Sequence, residues 1–380
     1  MKNIEGGKVH IKSWCPDMDV TTETQVRNLS DLPFAFHHIC LMPDAHSGYG
    51  MPIGGVLATE GTVVPQAVGV DAGCGMLAFD LGEHVEDFMT SRDAILHEVM
   101  RSVPTGMNRN KSKQCIDLLS DCTDVINSER ETAEYSLGTL GGGNHFIEFD
   151  KDELEHLWLV IHSGSRHLGQ TLNKHYDTLA KKLNAKYSSM VPPSADLAFL
   201  PFDTQEATDY LRDMKWCVEY ASENRHCMAF SIINALTFGF SVEQQIETRH
   251  NYATMENHFG KNVLVHRKGA VHAAQGELVV IPGSMGSKSY IATGLGNKDS
   301  FLSCSHGAGR PMSRTAAKKL ITKEEYESEM EADDIMLLTN SDNVADESRG
   351  AYKSIDEVMA NQSDLVTPLH TLTPLAVCKG

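Results

Sequence analysis

Again and again along this 380-residue chain, a short apolar, strand-like run stops at a glycine-rich turn: ICLMPDAHSGYG, AVGVDAGCGM, LGTLGGGNHFIEF, LVIHSGSRHLG and LVVIPGSMGSKSYIA. Such runs, bounded by Gly, Asn, Asp and Ser, read as strands closed by turns. Loops held at the ends of rigid strands are where reactive side chains usually sit. Helical stretches separate the strands. Residues 86–101 read as one amphipathic helix, residues 205–238 as one long helix or two, and residues 313–331 as a helix with Ser313 as its N-cap. The final stretch, LHTLTPLAVCKG, reads as strand. The predicted class is α+β: mixed β-sheets with surrounding helices in one integrated domain over 1–380, with room for a helical insertion at about 175–240, the least glycine-rich region.

Bulk properties narrow the partners. The formal net charge is −18, which argues against broad non-specific nucleic-acid binding, because phosphate contacts need clustered Lys and Arg. It leaves room for a local basic groove or for multivalent cations that neutralise phosphates. The longest apolar runs, such as LWLVI at 157–161, are too short to span a bilayer, and the N-terminus lacks the apolar core of a signal peptide. Nine cysteines are scattered without a C-x-x-C pair, which fits reduced thiols in a reducing compartment. The expectation is a cytoplasmic protein without a membrane segment, with monomer as the default.

Chemistry concentrates in the turns. In GVDAGCGM, Asp71 and Cys74 lie three apart, with Gly73 and Gly75 beside the thiol. A carboxylate and a thiolate so placed can ligate one metal or bridge two; for an isolated pair, a buried structural cysteine beside a turn Asp is the commoner case. His145 after three glycines, His162 after an apolar run and His250 with Asn251 in ETRHNYATMENH enlarge the inventory. Each alone reads as a hydrogen-bonded structural histidine. Together with Asp71 and Cys74 they supply the mixed O, N and S donors of a dinuclear site, compatible with Mn, Zn, Co or Fe. Asp44 and His46 are further polar loop residues, for which a turn Asp and a structural His are the plain alternative.

Anion-binding elements follow. IPGSMGSKSYIATG is a strand and a Gly/Ser loop without Walker A spacing; its N–H groups and hydroxyls can hold phosphate or a nucleobase. Arg166, Arg267, Lys268, Arg310 and Arg314 together supply local positive charge for a polyanion, although any one of them alone reads as a solvated surface residue. No G-x-S-x-G elbow occurs.

These stretches, with RHN, RKGA, SHGAGRPMSR and the terminal CKG, occur in the order seen in the RtcB family of GTP- and manganese-dependent RNA ligases, which the chain resembles from about residue 42 to 380. The resemblance implies two Mn²⁺ ions held by Asp71, Cys74, His145, His162 and His250, with Cys74 bridging: one ion also on Asp71 and His145, the other on His162 and His250. It implies His306 as the nucleophile that takes GMP from GTP. The nucleotide contacts would be Asn144, His145, Phe146, Ile147, Glu148, His250, Asn251, Pro282, Gly283, Ser284, Met285, Ser289, His306, Gly307, Ala308, Gly309 and Lys379, with Arg166 near an RNA phosphate. The small residues Gly307, Ala308 and Gly309 would leave room for a nucleotide. The implied partners are RNA ends carrying 3′-phosphate or 2′,3′-cyclic phosphate, joined to 5′-hydroxyl ends in RNA splicing or repair.

Two positions depart from the family pattern: His167 stands where Gly is usual, and Arg249 where a His or Asn often precedes His250. His167 reads as a surface change rather than an extra RNA contact. The alternatives are a metal-dependent RNA-end phosphoesterase without guanylylation and a non-catalytic RNA-end-binding protein. Simple hydrolysis requires neither His306 with its GAGR turn nor Lys379, and a binding module would not need the full ligand set.

Overall fold

The computed structural model describes residues 1–116 and 121–380. It is a mixed α+β fold built on two large sheets. The first has six strands in the order Lys2–Ile4, His10–Ser13, Ala35–His46, Ile53–Thr59, Lys261–Lys268 and Asn251–His258. The second runs Gln244–Arg249, Gly75–Asp80, Leu157–Ser163, Phe146–Lys151, Val366–Lys379, Ser289–Gly294 and Leu278–Ile281, with Met336–Thr339 lying parallel to the end of Val366–Lys379. A short pair, Ala270–His272 with Ser303–Ser305, stands beside them.

Register explains where the site forms. In the second sheet Met76 faces His162, Phe146 faces His162 from the other side, Arg249 faces Gly75 and Lys379 faces Phe146. Cys74, Asn144, His145, His250 and Lys379 therefore arrive at one end of five adjacent strands, although they span most of the sequence. Alternation along each strand sends one face into a core containing Leu77, Phe79, Ile147, Phe149, Leu159 and Ile161 and leaves the other against Met76, Ala78, Trp158 and Val160.

The helices confirm and refine the sequence reading. The segment 86–101 is a single helix, Val85–Ser102, and 205–238 is one long helix, Gln205–Ile233, whose N-cap Thr204 accepts the Ala207 N–H. The long helix lies directly behind the site: Arg225, fully buried, donates to the carbonyls of Gly73 and Ser163 and pairs with Glu247 at 2.7 Å. The stretch 313–331 departs from expectation. Ser313 does cap a helix, but it is the short Arg314–Leu320; the chain then extends at Ile321 and starts again as Lys323–Ala332. Thr322 and Glu325 form a capping box there, satisfying two otherwise orphaned N–H donors. No described helix is long and apolar enough to cross a membrane.

Candidate metal and nucleotide site

The five residues expected to hold metal converge. Cys74 Sγ lies 3.5 Å from His145 Nε2 and 3.3 Å from His162 Nε2; His162 Nε2 lies 3.4 Å from His250 Nε2, and His145 Nε2 lies 3.2 Å from Asp71 Oδ2. Two triads result, Asp71–Cys74–His145 and Cys74–His162–His250, each with its donor atoms within 4.8 Å of one another and sharing the thiol. The backbone sets the tautomers: His145 Nδ1–H donates to the Leu140 carbonyl at 2.9 Å and His162 Nδ1–H to that of Asn144 at 3.0 Å. Both Nε2 lone pairs thus point at the thiol, the arrangement by which second partners orient metal-binding imidazoles.

Electrostatics favour the ligand form of the histidines. Burial, reinforced by the neighbouring imidazoles, holds His162 and His250 well below the ordinary histidine range, so both are neutral near pH 7. The two Nε2 atoms lie 3.4 Å apart, and no acceptor among the described residues holds a proton on His250 Nδ1; with that proton on Nδ1 both Nε2 lone pairs are open to one cation. Burial raises Asp71, yet its neighbours His145, Cys74 and Arg166 outweigh it and keep the carboxyl below its usual value. Burial and Asp71 push the Cys74 thiol well up; a divalent cation supplies the positive charge that would ionise it. Buried N, S and O donors around a shared sulfur fit a pair of divalent ions. The HSGSR glycine has its own role, because a Cβ on Gly164 would sit 2.3 Å from Asp71 Oδ1.

His306 stands beside this cluster without joining it. Its ring centroid lies 4.9 Å from that of His250. Its Nδ1 lies 2.6 Å from Oδ2 of Asp44, a fully buried carboxylate that also accepts the His306 backbone N–H at 3.2 Å. With Nδ1–H fixed on Asp44, the lone pair sits on Nε2, which has no hydrogen-bond partner among the described residues. Asp44 is therefore more than a turn residue. Gly309 makes this approach possible: its φ is +72°, and a Cβ there would fall 2.1 Å from the Asp44 carbonyl oxygen.

The His306 ring faces a pocket of about 870 Å³ including its open mouth, within the range of small-ligand sites. Asn144, Phe146, Glu148, Pro282, Gly283, Ser284, Met285, Ser289, Gly307, Ala308, Gly309 and Lys379 line it with His306. Ile147 does not: strand alternation turns its side chain into the opposite core. Asn251 also lies apart; its amide donates to the Asp71 carbonyl at 3.1 Å and accepts from Gly269 N–H at 2.9 Å, tying the metal-side turn to the junction between Lys261–Lys268 and Ala270–His272.

The basic residues divide. Arg310, Arg314 and Lys379 surround Glu347, with Arg310 at 2.6 Å, Arg314 at 2.5 Å and Lys379 at 3.0 Å, at one wall of the pocket. Burial raises Glu347, but these three cations outweigh it and keep it ionised. Glu347, the centre of that wall, carries no motif of its own in the sequence. Arg267 and Lys268, counted from sequence among the anion-binding charges, are buried and internally engaged: Arg267 pairs with Glu256 at 2.5 Å, and Lys268 donates to the carbonyls of Tyr49, Met51 and Gln66. Arg166 has a left-handed φ of +60° and packs against Gly141, with Nη1 3.4 Å from His145 Nδ1. His167 is not free at the surface, since its Nε2 lies 3.3 Å from Glu129. Arg249 is half-exposed, 3.9 Å from Glu247.

The chain matches, over residues 25–129 and 119–380, a family model described as tRNA-splicing ligase RtcB. The RNA-splicing ligase RtcB of Escherichia coli (strain K12) is 38% identical, covering 97% of this chain and 97% of that protein. The tRNA-splicing ligase RtcB of Nanoarchaeum equitans is 30% identical over 94% of this chain and 91% of its own, and the RNA-splicing ligase RtcB of Mycobacterium tuberculosis 28% identical over 94% and 100%. A metal-capable cluster, an aspartate-held histidine and a polar pocket at one sheet end thus come with similarity along nearly the whole length, and the chain belongs to the RtcB family.

Proposed function

We propose that this protein is an RNA ligase that uses GTP and two Mn²⁺ ions to join RNA 2′,3′-cyclic phosphate or 3′-phosphate ends to 5′-hydroxyl ends, through a GMP–histidine intermediate on His306. The observation that carries the reading is the Asp44–His306 pair: a 2.6 Å contact that fixes Nδ1–H and leaves Nε2 bare, at the edge of a pocket and next to the metal-capable cluster. A neutral imidazole with one nitrogen so fixed is a nucleophile with a preset direction.

In the first step His306 Nε2 attacks the α-phosphorus of GTP. The Nε2–P bond forms as the bond to the bridging oxygen breaks, and pyrophosphate leaves. The ring gains positive charge as it bonds, and the Asp44 carboxylate stabilises it through Nδ1–H. An RNA 3′-phosphate oxygen then attacks the same phosphorus and displaces the imidazole; finally a 5′-hydroxyl attacks the activated 3′-phosphate and GMP leaves. A cyclic phosphate end is first opened by water. Bound Mn²⁺ ions on Asp71, Cys74, His145, His162 and His250 would polarise phosphate oxygens and offset developing charge. Glu148 and Lys379 would read the base edge, the Gly283–Met285 turn and Ser289 would hold the nucleotide, and Arg166 would meet the RNA phosphate.

The test is joining of an RNA pair with 2′,3′-cyclic phosphate and 5′-hydroxyl ends. Ligation that needs both GTP and Mn²⁺ and disappears in His306→Ala is expected. Release of 3′-phosphate without joining, unaffected by GTP, would instead make the protein a phosphoesterase.

A further inference from the structure

We infer that the loop Met107–Lys113 is a docking ridge for the phosphates of single-stranded RNA, leading an RNA end past Arg166 into the site. This rests on the ligase reading and adds the route by which a strongly acidic protein admits a polyanion. The loop, MNRNKSK, carries three cations and no acid, in a chain with 51 acidic and 33 basic residues. Such an excess of acid repels RNA over most of a surface, so approach is favourable only where positive charge is locally concentrated.

The loop is fixed to the site rather than merely near it. Gly106 N–H donates to the Gly141 carbonyl at 2.9 Å, and the Gly106 carbonyl accepts Arg166 Nη2 at 3.3 Å. Asn110 binds the Tyr135 carbonyl through its backbone N–H at 2.9 Å, and its side-chain amide donates to the Leu137 carbonyl at 2.6 Å. Both acceptors lie on the segment that runs into Gly141–His145. The base of the ridge is thereby anchored to the turn that presents His145.

Its cations are available. Arg109 and Lys111 are exposed and have no ion pair or hydrogen bond with any other described residue, whereas Lys113 is held by Glu131 at 3.1 Å and Glu134 at 3.2 Å. The cations of the pocket wall are different, since Arg310, Arg314 and Lys379 already share Glu347. Arg109 follows three residues after Gly106, whose carbonyl holds Arg166. The exposed cations Arg109 and Lys111 thus sit on a loop whose base is bonded to Arg166, itself 3.4 Å from His145 of the metal-capable cluster.

The test is a double variant, Arg109→Ala with Lys111→Ala, in the full chain. Affinity for a single-stranded oligoribonucleotide with a 3′-phosphate is measured across a salt series, alongside guanylylation by labelled GTP. Two lost phosphate contacts reduce the slope of log K against log salt by about 1.4 and the affinity by about tenfold at 0.15 M salt. Guanylylation should stay at the parent rate. A control pair at the outer edge of the first sheet, Lys2→Ala with Lys8→Ala, should leave the slope unchanged. An unchanged slope in the loop variant, or an equal drop in the control, overturns the ridge. Stronger binding of an acidic peptide than of the oligonucleotide would assign the loop to a protein partner and also overturn it. If the parent forms no GMP adduct, the ligase reading fails, but the slope still decides the ridge.

Discussion

Asp44→Asn isolates the charge beneath the proposed nucleophile. The side chain is fully buried, and Oδ2 accepts two N–H groups of His306, Nδ1 at 2.6 Å and the backbone at 3.2 Å. Asparagine has nearly the same shape, so the fold and the metal-capable cluster should persist while the negative charge is lost. Hydrogen bonds to a charged partner contribute about 1.5–3 kcal/mol. That contribution matters most when Nε2 bonds to phosphorus and the ring becomes cationic. At about 1.4 kcal/mol per decade, guanylylation should slow by roughly ten- to 150-fold. If the amide NH₂ faces the ring, Nδ1 becomes the acceptor and the proton moves to Nε2, which blocks attack and deepens the loss. The assay is the single-turnover rate of label transfer from α-labelled GTP to protein, with metal content measured on the same sample. A rate within two- to threefold of the parent, with metal intact, would refute the assigned role of Asp44.

Other perturbations probe the remaining parts. Cys74→Ala removes the sulfur shared by both triads, so elemental analysis should show loss of bound Mn²⁺ and the GMP adduct should vanish; full activity would remove the shared-thiol arrangement. Gly309→Ala puts a Cβ 2.1 Å from the Asp44 carbonyl oxygen at a φ of +72°. The cost should be at least about 1–3 kcal/mol, seen as a lower melting temperature with slowed guanylylation, and an unchanged melt would count against it. Asp150 is fully buried, opposite Trp158 and Pro374 and next to Glu148, and burial pushes both carboxyls up, so the pair holds protons together. The folded chain therefore binds this proton more tightly than the unfolded chain, whose Asp titrates near about 3.9. Its contribution is full below about pH 4 and is lost as pH rises, so Asp150→Asn should gain stability relative to the parent as pH is raised above about 4. Denaturant melts at several pH values read this directly, and a difference independent of pH would contradict it.

Much of the site was legible because strand ends punctuate the sequence. Asp71, Cys74, His145 and His162 each lie close to glycines at the end of an apolar run, and the pairing of five neighbouring strands brings those ends together. Partnerships across the molecule were harder to see. Asp44 and His306 are 262 residues apart, so nothing local distinguishes Asp44 from a turn aspartate. Glu347 sits in ADESRGAY, an ordinary charged stretch, and gains meaning only from the three cations that fold onto it. Arg267 and Lys268 show the converse: a basic pair beside a glycine resembles an anion site, but their strand is central and the fold buries both against internal acceptors. Ile147 fails as a side-chain contact because alternation is strict between Phe146 and Glu148. The break at Ile321 was readable in principle, since Thr322 and Glu325 have capping-box spacing inside the stretch taken as one helix.

The central claim is that His306 carries GMP, and peptide mapping tests it most directly. The protein is incubated with GTP and Mn²⁺, digested at alkaline pH to preserve a phosphorus–nitrogen bond, and the guanylylated peptide is sequenced by mass spectrometry. The account predicts a single adduct on His306, labile to acid, absent in His306→Ala and discharged by RNA with a 3′-phosphate. An adduct on another residue, or ligation by the His306→Ala variant, would contradict it.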